Sequence, residues 1–260
     1  MRGFLFDVEF MWGFQARVAG MSKTSPSYIF PPPSSILGTL AESYARRKGF
    51  SEGKSVETMH KLSNELLALA YRPINAIPIV FQDLNKIIAI RTAGGITYPS
   101  VKEDIYGSFD APARGKTILS TVNEKPPMLR IMLVVKENSD ITIDDIWKIK
   151  RVGSKESMVS VINVIEDQPE VIRDRIITQY SFPLVDGIEW DKEGECVEQY
   201  FVPILGQPLT DSPSKLYLNA QVVKYIIGVP YREYRFRIKK LPDGFVGYKI
   251  GEEVAIGIEG

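Results

Sequence analysis

Histidine and cysteine are almost absent: the 260 residues hold one of each, His60 and Cys196. A single cysteine makes no internal disulfide, and one Cys with one His falls short of a zinc site, so a reducing cytoplasm is the expected compartment. A Ser/His/Asp triad would have to be built on His60, and no His pair exists for metal-free RNA cleavage. His60 lies in "ETMHKL", on the polar side of a predicted helix, where a solvated side chain is the plainer reading. The apolar runs of roughly 18–20 residues that membrane helices need are also missing. The opening "MRGFLFDVEFMWGF" carries Asp7 and Glu9 inside its apolar stretch, unlike a secretory leader. No GxxxxGK(S/T) loop occurs; "RTAGGITYPS" has glycines without the lysine or the following helix. The acids Asp186, Glu189, Asp191, Glu193, Glu195 and Glu198 have the chemistry for Mg²⁺, but a solvated face explains them more simply. No catalytic residue, metal or cofactor is expected.

Net charge is absent too, at a formal value of zero. It is unevenly spread. Residues 1–48 carry six bases against three acids, residues 224–240 six bases against Glu233, and residues 166–198 ten acids against three bases. A polyanion ligand is therefore compatible with the composition only as a local patch, with another face left acidic.

What is present reads as an α+β chain. Residues 3–12 alternate with period two, placing Phe4, Phe6, Val8, Phe10 and Trp12 on one face of a strand. Residues 13–33 form a long ordered loop. A helix is predicted over 35–48, with Ser34 or Ser35 as its cap, and a second over 55–70 with Val56, Met59, Leu62, Leu66 and Leu69 as its stripe. "INAIPIVF" (74–81) reads as a strand. Residues 83–125 are punctuated by Gly and Pro, and so long a stretch reads as an extended hairpin or arm. "MLRIMLVV" (128–135) reads as a buried strand, 142–154 as a helix opened by a Thr142/Asp145 capping box, and 158–165 as another strand. This βαββαβ order is that of a ferredoxin-like or RRM-type sheet, giving a domain over 1–165 with the arm inserted. Residues 166–260 form a smaller β-rich part.

Several segments have chemistry suited to nucleic acid. In "PSYIFPPPSSILGTLAESYARRKG" (26–49), Pro31, Pro32 and Pro33 stiffen the entrance of a helix. A helix start offers free N–H groups and a partial positive charge to a phosphate, and Ser34 and Ser35 add hydroxyls. Ser27, Tyr28 and Pro33 belong to the same entrance, and Arg17 and Lys23 lie in the loop before it. A stiff, well-capped helix explains the same residues. Arg46 and Arg47 are counted with the basic contacts, although cations at a helix C-terminus also relieve its dipole. The turn "RVGSKES" (151–157) gathers Arg151, Ser154 and Lys155 around open amides. In the arm, Arg91, Arg114 and Lys116 interleave with Tyr98 and other aromatics, which suits a single strand whose bases stack on rings. "KYIIGVPYREYRFRIKK" (224–240) reads as a strand with one basic face.

"YIFPPPSSILGTLAESYARRKG" resembles the N-terminal signature of the CRISPR-associated Cas-five family, in which a first strand leads through a long loop to Pro-Pro-Pro-Ser and a helix. Here these are Pro31 to Ser34, then Ile36, Leu37, Gly38, Leu40 and Ala41. "MWGFQARVAG" and "RVGSKESMVSV" are similar to the same family, whose archaeal type I-A members are the nearest in flavour. The resemblance implies a repeat-associated, RRM-like protein with a β-hairpin thumb. It implies a subunit of Cascade, the RNA-guided antiviral complex, that caps the filament of backbone subunits, holds the 5′ handle of the CRISPR RNA (crRNA) and touches the large subunit. Target DNA would be met only indirectly, and no membrane is involved. One branch of the family cleaves precursor RNA with a tyrosine, a lysine and a histidine, and that histidine has no counterpart here. The expectation is RNA binding without cleavage. Its alternatives are a metal-independent endoribonuclease acting on repeat RNA and a scaffold that contacts only protein.

Overall fold

The computed structural model describes residues 1–18, 26–51, 54–84, 113–204 and 221–260. The molecule is mixed but strand-rich. Its centre is a four-stranded sheet made from β1 (Arg2–Phe10), β3 (Leu66–Pro73), β6 (Met128–Val135) and β7 (Val159–Asp167), in the order β3-β6-β1-β7 with every neighbour antiparallel. Numbered as they occur along the chain, these strands lie 2-3-1-4. The helices are α1 (Pro33–Lys48), α2 (Ser55–Glu65) and the short α3 (Ile143–Trp147).

The alternation read in the first strand dictates what each face of this sheet meets. Phe4, Phe6, Val8 and Phe10 of β1 and Leu129, Ile131, Leu133 and Val135 of β6 form one core with Ile36, Leu37, Leu40 and Tyr44 of α1. Burying each such side chain stabilises the fold by ~1.5–3 kcal/mol. The intervening residues Leu5, Met132 and Val134 face the other way. They meet Tyr180, with Val246 and Tyr248 of β15 (Phe245–Ile250) and Ala255 of β16 (Glu253–Ile258). The sheet is thus covered on one side by the helices, with Val202, Tyr225 and Ile227 of the C-terminal part in the same core, and on the other by strands of the C-terminal part. An ion network locks the second face. Arg130 donates to both carboxylate oxygens of Asp7 (2.7 and 2.8 Å) and to Glu253 (2.9 Å), and Arg72 donates to both oxygens of Glu253 (3.1 and 2.7 Å).

The rest of the C-terminal part is built from short strands around Phe182, Trp190 and Phe236, whose rings meet edge to face with centroids 5.4–5.8 Å apart. The basic strand and the acidic run of the sequence face each other here. On β11 (Glu189–Glu193) and β14 (Arg235–Lys240), Glu193 pairs with Arg235 (2.8 Å) and with Arg237, and Asp191 pairs with Lys239 (2.7 Å). Opposite charges on paired strands attract, so the acidic run meets this chain's own bases.

Three elements differ from expectation. The second helix stops at Glu65, and "LLALAYRP" becomes β3: a run buried on both faces of a covered sheet loses its period and reads as helix or strand alike. "INAIPIVF" is therefore not a central strand. Its residues from Ala76 on belong to β4 (Ala76–Leu84), which pairs with β5 (Ala113–Thr121) in a separate hairpin joined by β2 (Gly13–Phe14). The third helix keeps its capping box but ends at Trp147, five residues long, because Ile149 and Val152 turn into the core. Among the described residues no helix is long and apolar enough to cross a membrane.

Candidate nucleic-acid interface

The proline turn is packed inside the protein. Phe30, Pro31, Pro32 and Pro33 are all buried. The Phe30 amide donates to Oε1 of Gln199 on β12 (Cys196–Pro203) at 2.8 Å, and α1 packs against that strand. The expected row of free amides does not exist. Pro32 is the N-cap and Pro33 the first helical residue, and neither has an N–H. The Ser35 and Ile36 amides donate to the Pro32 carbonyl (2.8 and 3.4 Å), which leaves the Ser34 amide alone. Ser34 and Ser35 are half-buried and neither caps the helix. The prolines close the helix entrance rather than holding it open for a phosphate.

Other sequence candidates are also structural. Ser27 is buried, and its Oγ accepts from the Ala16 amide at 3.3 Å. Tyr28 is buried and spans two elements: its carbonyl accepts from Thr117 Oγ1 of β5 (2.6 Å), and its hydroxyl donates to the Phe201 carbonyl of β12 (2.6 Å). Arg47 binds both oxygens of the buried Asp145 (2.7 and 2.8 Å) and so ties the end of α1 to α3. That hydrogen bond and the Asp145 charge, opposed by partial burial, hold the Arg47 guanidinium above its ordinary pKa. Arg151 donates to Glu42 at 2.8 Å, and Glu42 also pairs with Arg46 one helical turn on. These three arginines are engaged with acids of the chain itself. Lys23, Arg91 and Tyr98 lie outside the described residues, as does the side chain of Arg114.

Two of the remaining candidates, Lys116 and Ser154, converge. The segment after β1, the "RVGSKES" turn and the β4–β5 hairpin meet at a cleft of about 640 Å³. Trp12 and Gln15 come from the first, Ser154 and Glu156 from the second, and Phe81, Lys116 and Ile118 from the third. Backbone contacts fix this junction. The Leu119 amide donates to the Trp12 carbonyl (2.9 Å) and the Ser154 amide to the Gln15 carbonyl (3.0 Å). Trp12 Nε1 donates to the Glu156 carbonyl (2.7 Å), and the Gln15 amide donates to Ser157 Oγ (3.1 Å). The approach is tight: at Gly153, with φ +98, a Cβ would sit 2.6 Å from the Gln15 carbonyl oxygen. Cross-strand pairing places Ile79 beside Ile118 and Phe81 beside Lys116 on the hairpin. Ile79, Phe81, Lys116 and Ile118 therefore share one face of the hairpin, and Phe81, Lys116 and Ile118 line the cleft together with Trp12. Arg17 and Lys155 are exposed on the loops that build the cleft. Flat rings, a cation and hydrogen-bonding side chains in one concave site form the kind of surface that single-stranded nucleic acid occupies.

Sequence reasoning assigned Lys116 and Ser154 to this chemistry and missed Trp12, Gln15 and Phe81. The first two lay in a segment already singled out, "MWGFQARVAG". Phe81 was hidden because its strand read as core.

No model of a known protein family matches the chain. It is 28% identical over 188 residues to the CRISPR-associated protein Cas5 2 of Saccharolobus solfataricus, covering 70% of this chain and 68% of the relative. It is 24% identical over 226 residues to the CRISPR system aCascade subunit Cas5 1 of the same organism, covering 76% and 86%. Among solved structures, a CRISPR protein from Archaeoglobus fulgidus matches across the whole of both chains with 35% identity and a TM-score of 0.73. With 35% identity across the whole of both chains to that CRISPR protein, and similarity over about two thirds or more of two proteins named Cas5, this chain belongs to the CRISPR-associated Cas5 family.

Proposed function

We propose that this chain is a non-catalytic, RNA-binding subunit of a Cascade-type CRISPR complex of the type I-A kind. In this reading it grips the 5′ handle of the crRNA, caps the backbone filament and touches the large subunit. The single observation that carries the proposal is the cleft. It joins two of the three segments that resemble the family, "MWGFQARVAG" and "RVGSKESMVSV", to the hairpin, around Trp12, Phe81 and Lys116. The relative named an aCascade subunit supports membership of such an assembly. The 2-3-1-4 antiparallel order supports a ferredoxin-like reading of the core. The β4–β5 hairpin leaves that core between its second and third strands, where a thumb would be inserted. Because β15 and β16 cover part of the second sheet face, RNA would be held by loops and the hairpin rather than across an open sheet.

Holding without cutting accords with the chemistry of the cleft, none of whose lining residues is a histidine. His60 sits on α2 and contacts Asn64 at 3.3 Å. The test is a titration of single-stranded handle RNA at graded salt. The parent is compared with a triple variant carrying Arg17→Ala, Lys116→Ala and Lys155→Ala. Weaker binding is expected, with a log–log salt slope shallower by about 0.7 for each phosphate that is no longer neutralised. Unchanged affinity and slope would sink the proposal. Repeat RNA incubated with the pure protein and a chelator should stay whole; a discrete cut would turn the reading to an endoribonuclease.

A further inference from the structure

Tyr200 and Phe201 sit in a bulge of β12. Against β13 (Val222–Gly228), Gln199 pairs with Tyr225 and Val202 with Val223, so two residues of one strand oppose Lys224 alone. Neighbouring side chains on a strand ordinarily point to opposite faces. Here Phe201 has φ +56, a region a residue with a Cβ seldom adopts, and both rings are about half exposed, at 52% and 47%. The bulge is well supported. The Phe201 carbonyl accepts from the buried Tyr28 hydroxyl, and Gln199 holds the Phe30 amide. Tyr200 is fixed by its own polar end: its hydroxyl donates to Glu198 (2.9 Å), and Lys224 bonds the same carboxylate while lying 4.6 Å from the ring centre. The tyrosine hydroxyl and the ammonium are thereby occupied. What remains open is the Phe201 ring and the part of the Tyr200 ring that Lys224 does not cover.

Their spacing suits a flat guest. The ring centroids are 6.5 Å apart with planes inclined at 48°. A planar ring held between two others needs about 7 Å, twice the ~3.5 Å contact distance of stacked carbons. At 6.5 Å the two rings touch each other, so a base enters when the Phe201 ring turns parallel to the fixed Tyr200 ring and about 0.5 Å further from it. We propose that Tyr200 and Phe201 clamp one unpaired nucleobase of single-stranded RNA, at a contact separate from the cleft. This rests on the RNA-binding reading above. Tyr28 links the two places, since its carbonyl holds Thr117 of the cleft hairpin and its hydroxyl holds the bulge.

The experiment uses the full chain and a single-stranded RNA of about 16 nucleotides carrying 2-aminopurine. Phe201→Gly removes the ring at a position whose backbone suits glycine. Tyr200→Phe keeps a flat ring, and Tyr200→Leu keeps only apolar bulk. Stacking predicts about five- to hundredfold weaker binding for Phe201→Gly and Tyr200→Leu, with loss of 2-aminopurine quenching and little change for Tyr200→Phe. If both ring-less variants bind RNA as the parent does while Trp12→Ala weakens it, the clamp is overturned and the cleft reading stands. If Trp12→Ala is silent as well, both fall. If the ring-less variants keep RNA but lose a neighbouring subunit on co-purification, the rings belong to a protein contact and the proposal is overturned.

Discussion

Glu253 is a residue whose loss this fold should feel sharply. It comes from the C-terminal strand β16 and receives two hydrogen bonds from Arg72 and one from Arg130, with the Arg72, Arg130 and Glu253 side chains only 18%, 26% and 18% exposed. In Glu253→Ala, Arg130 keeps Asp7, but Arg72 is left with the face of Tyr180, 6.0 Å away. Removing one partner of a fully buried pair costs about 3–5 kcal/mol. With some water reaching these guanidiniums, about 2–3 kcal/mol is expected, or roughly 4–12 °C in Tm for a chain of this size. Burial alone would raise the Glu253 pKa, but the hydrogen bonds and charges of Arg72 and Arg130 more than offset it, and the folded-state value is depressed. Its stabilisation is therefore present above the ordinary carboxylate range near ~4.3 and is lost as pH falls through the lower folded value. Urea unfolding across acid pH is the assay. Glu253→Gln should lower the midpoint at neutral pH and flatten the acid limb of the stability profile. The double cycle with Arg72→Ala should return a coupling of about 1–3 kcal/mol. A Glu253→Ala change within about 0.5 kcal/mol of the parent, the range of ordinary surface substitutions, would refute the view that this network fastens the C-terminal part to the sheet.

Arg47→Ala strands the buried Asp145 carboxylate, still held by the Thr142 amide, and should cost about 3 kcal/mol in denaturant unfolding while leaving RNA affinity unchanged. Lys155→Ala should do the reverse, with unchanged unfolding and weaker RNA binding in the same titrations. At Gly115 an added Cβ would lie 2.1 Å from the Ser27 nitrogen, so Gly115→Ala should destabilise by about 1–3 kcal/mol or more and loosen the hairpin, seen as faster amide exchange across β5. Tyr28→Phe deletes one buried hydrogen bond, and a loss of about 1 kcal/mol is expected by thermal unfolding.

The sequence carried most of the central sheet, because three of its strands announce themselves through alternation or an unbroken apolar run. β3 escaped because Met59, Leu62, Leu66 and Leu69 fit a helical stripe and no Gly or Pro marks the change at Glu65. The site was legible as segments but not as contacts. "MWGFQARVAG" and "RVGSKES" stand out in the chain, yet only folding brings Gln15 to Ser154. Charge misled most. Arg47, Arg151, Arg235 and Arg237 read as free bases in one dimension, and each has its acid far away in sequence or on a strand whose register no local pattern reveals. The proline turn misled for a subtler reason. Amides were counted by position in the helix, while Pro32 and Pro33 remove the donors themselves.

The doubly covered sheet also has a history in time. β6 is complete at Val135, but the strands that complete the cover of its far face, β15 and β16, begin at Phe245, 110 residues later. At about 5–20 residues per second, a nascent chain on the ribosome would leave Leu5, Met132 and Val134 only partly covered for roughly 5–20 seconds. Synthesis of this protein therefore passes through a half-built stage with an apolar sheet face incompletely covered, and cutting the chain after β7 would make that stage permanent.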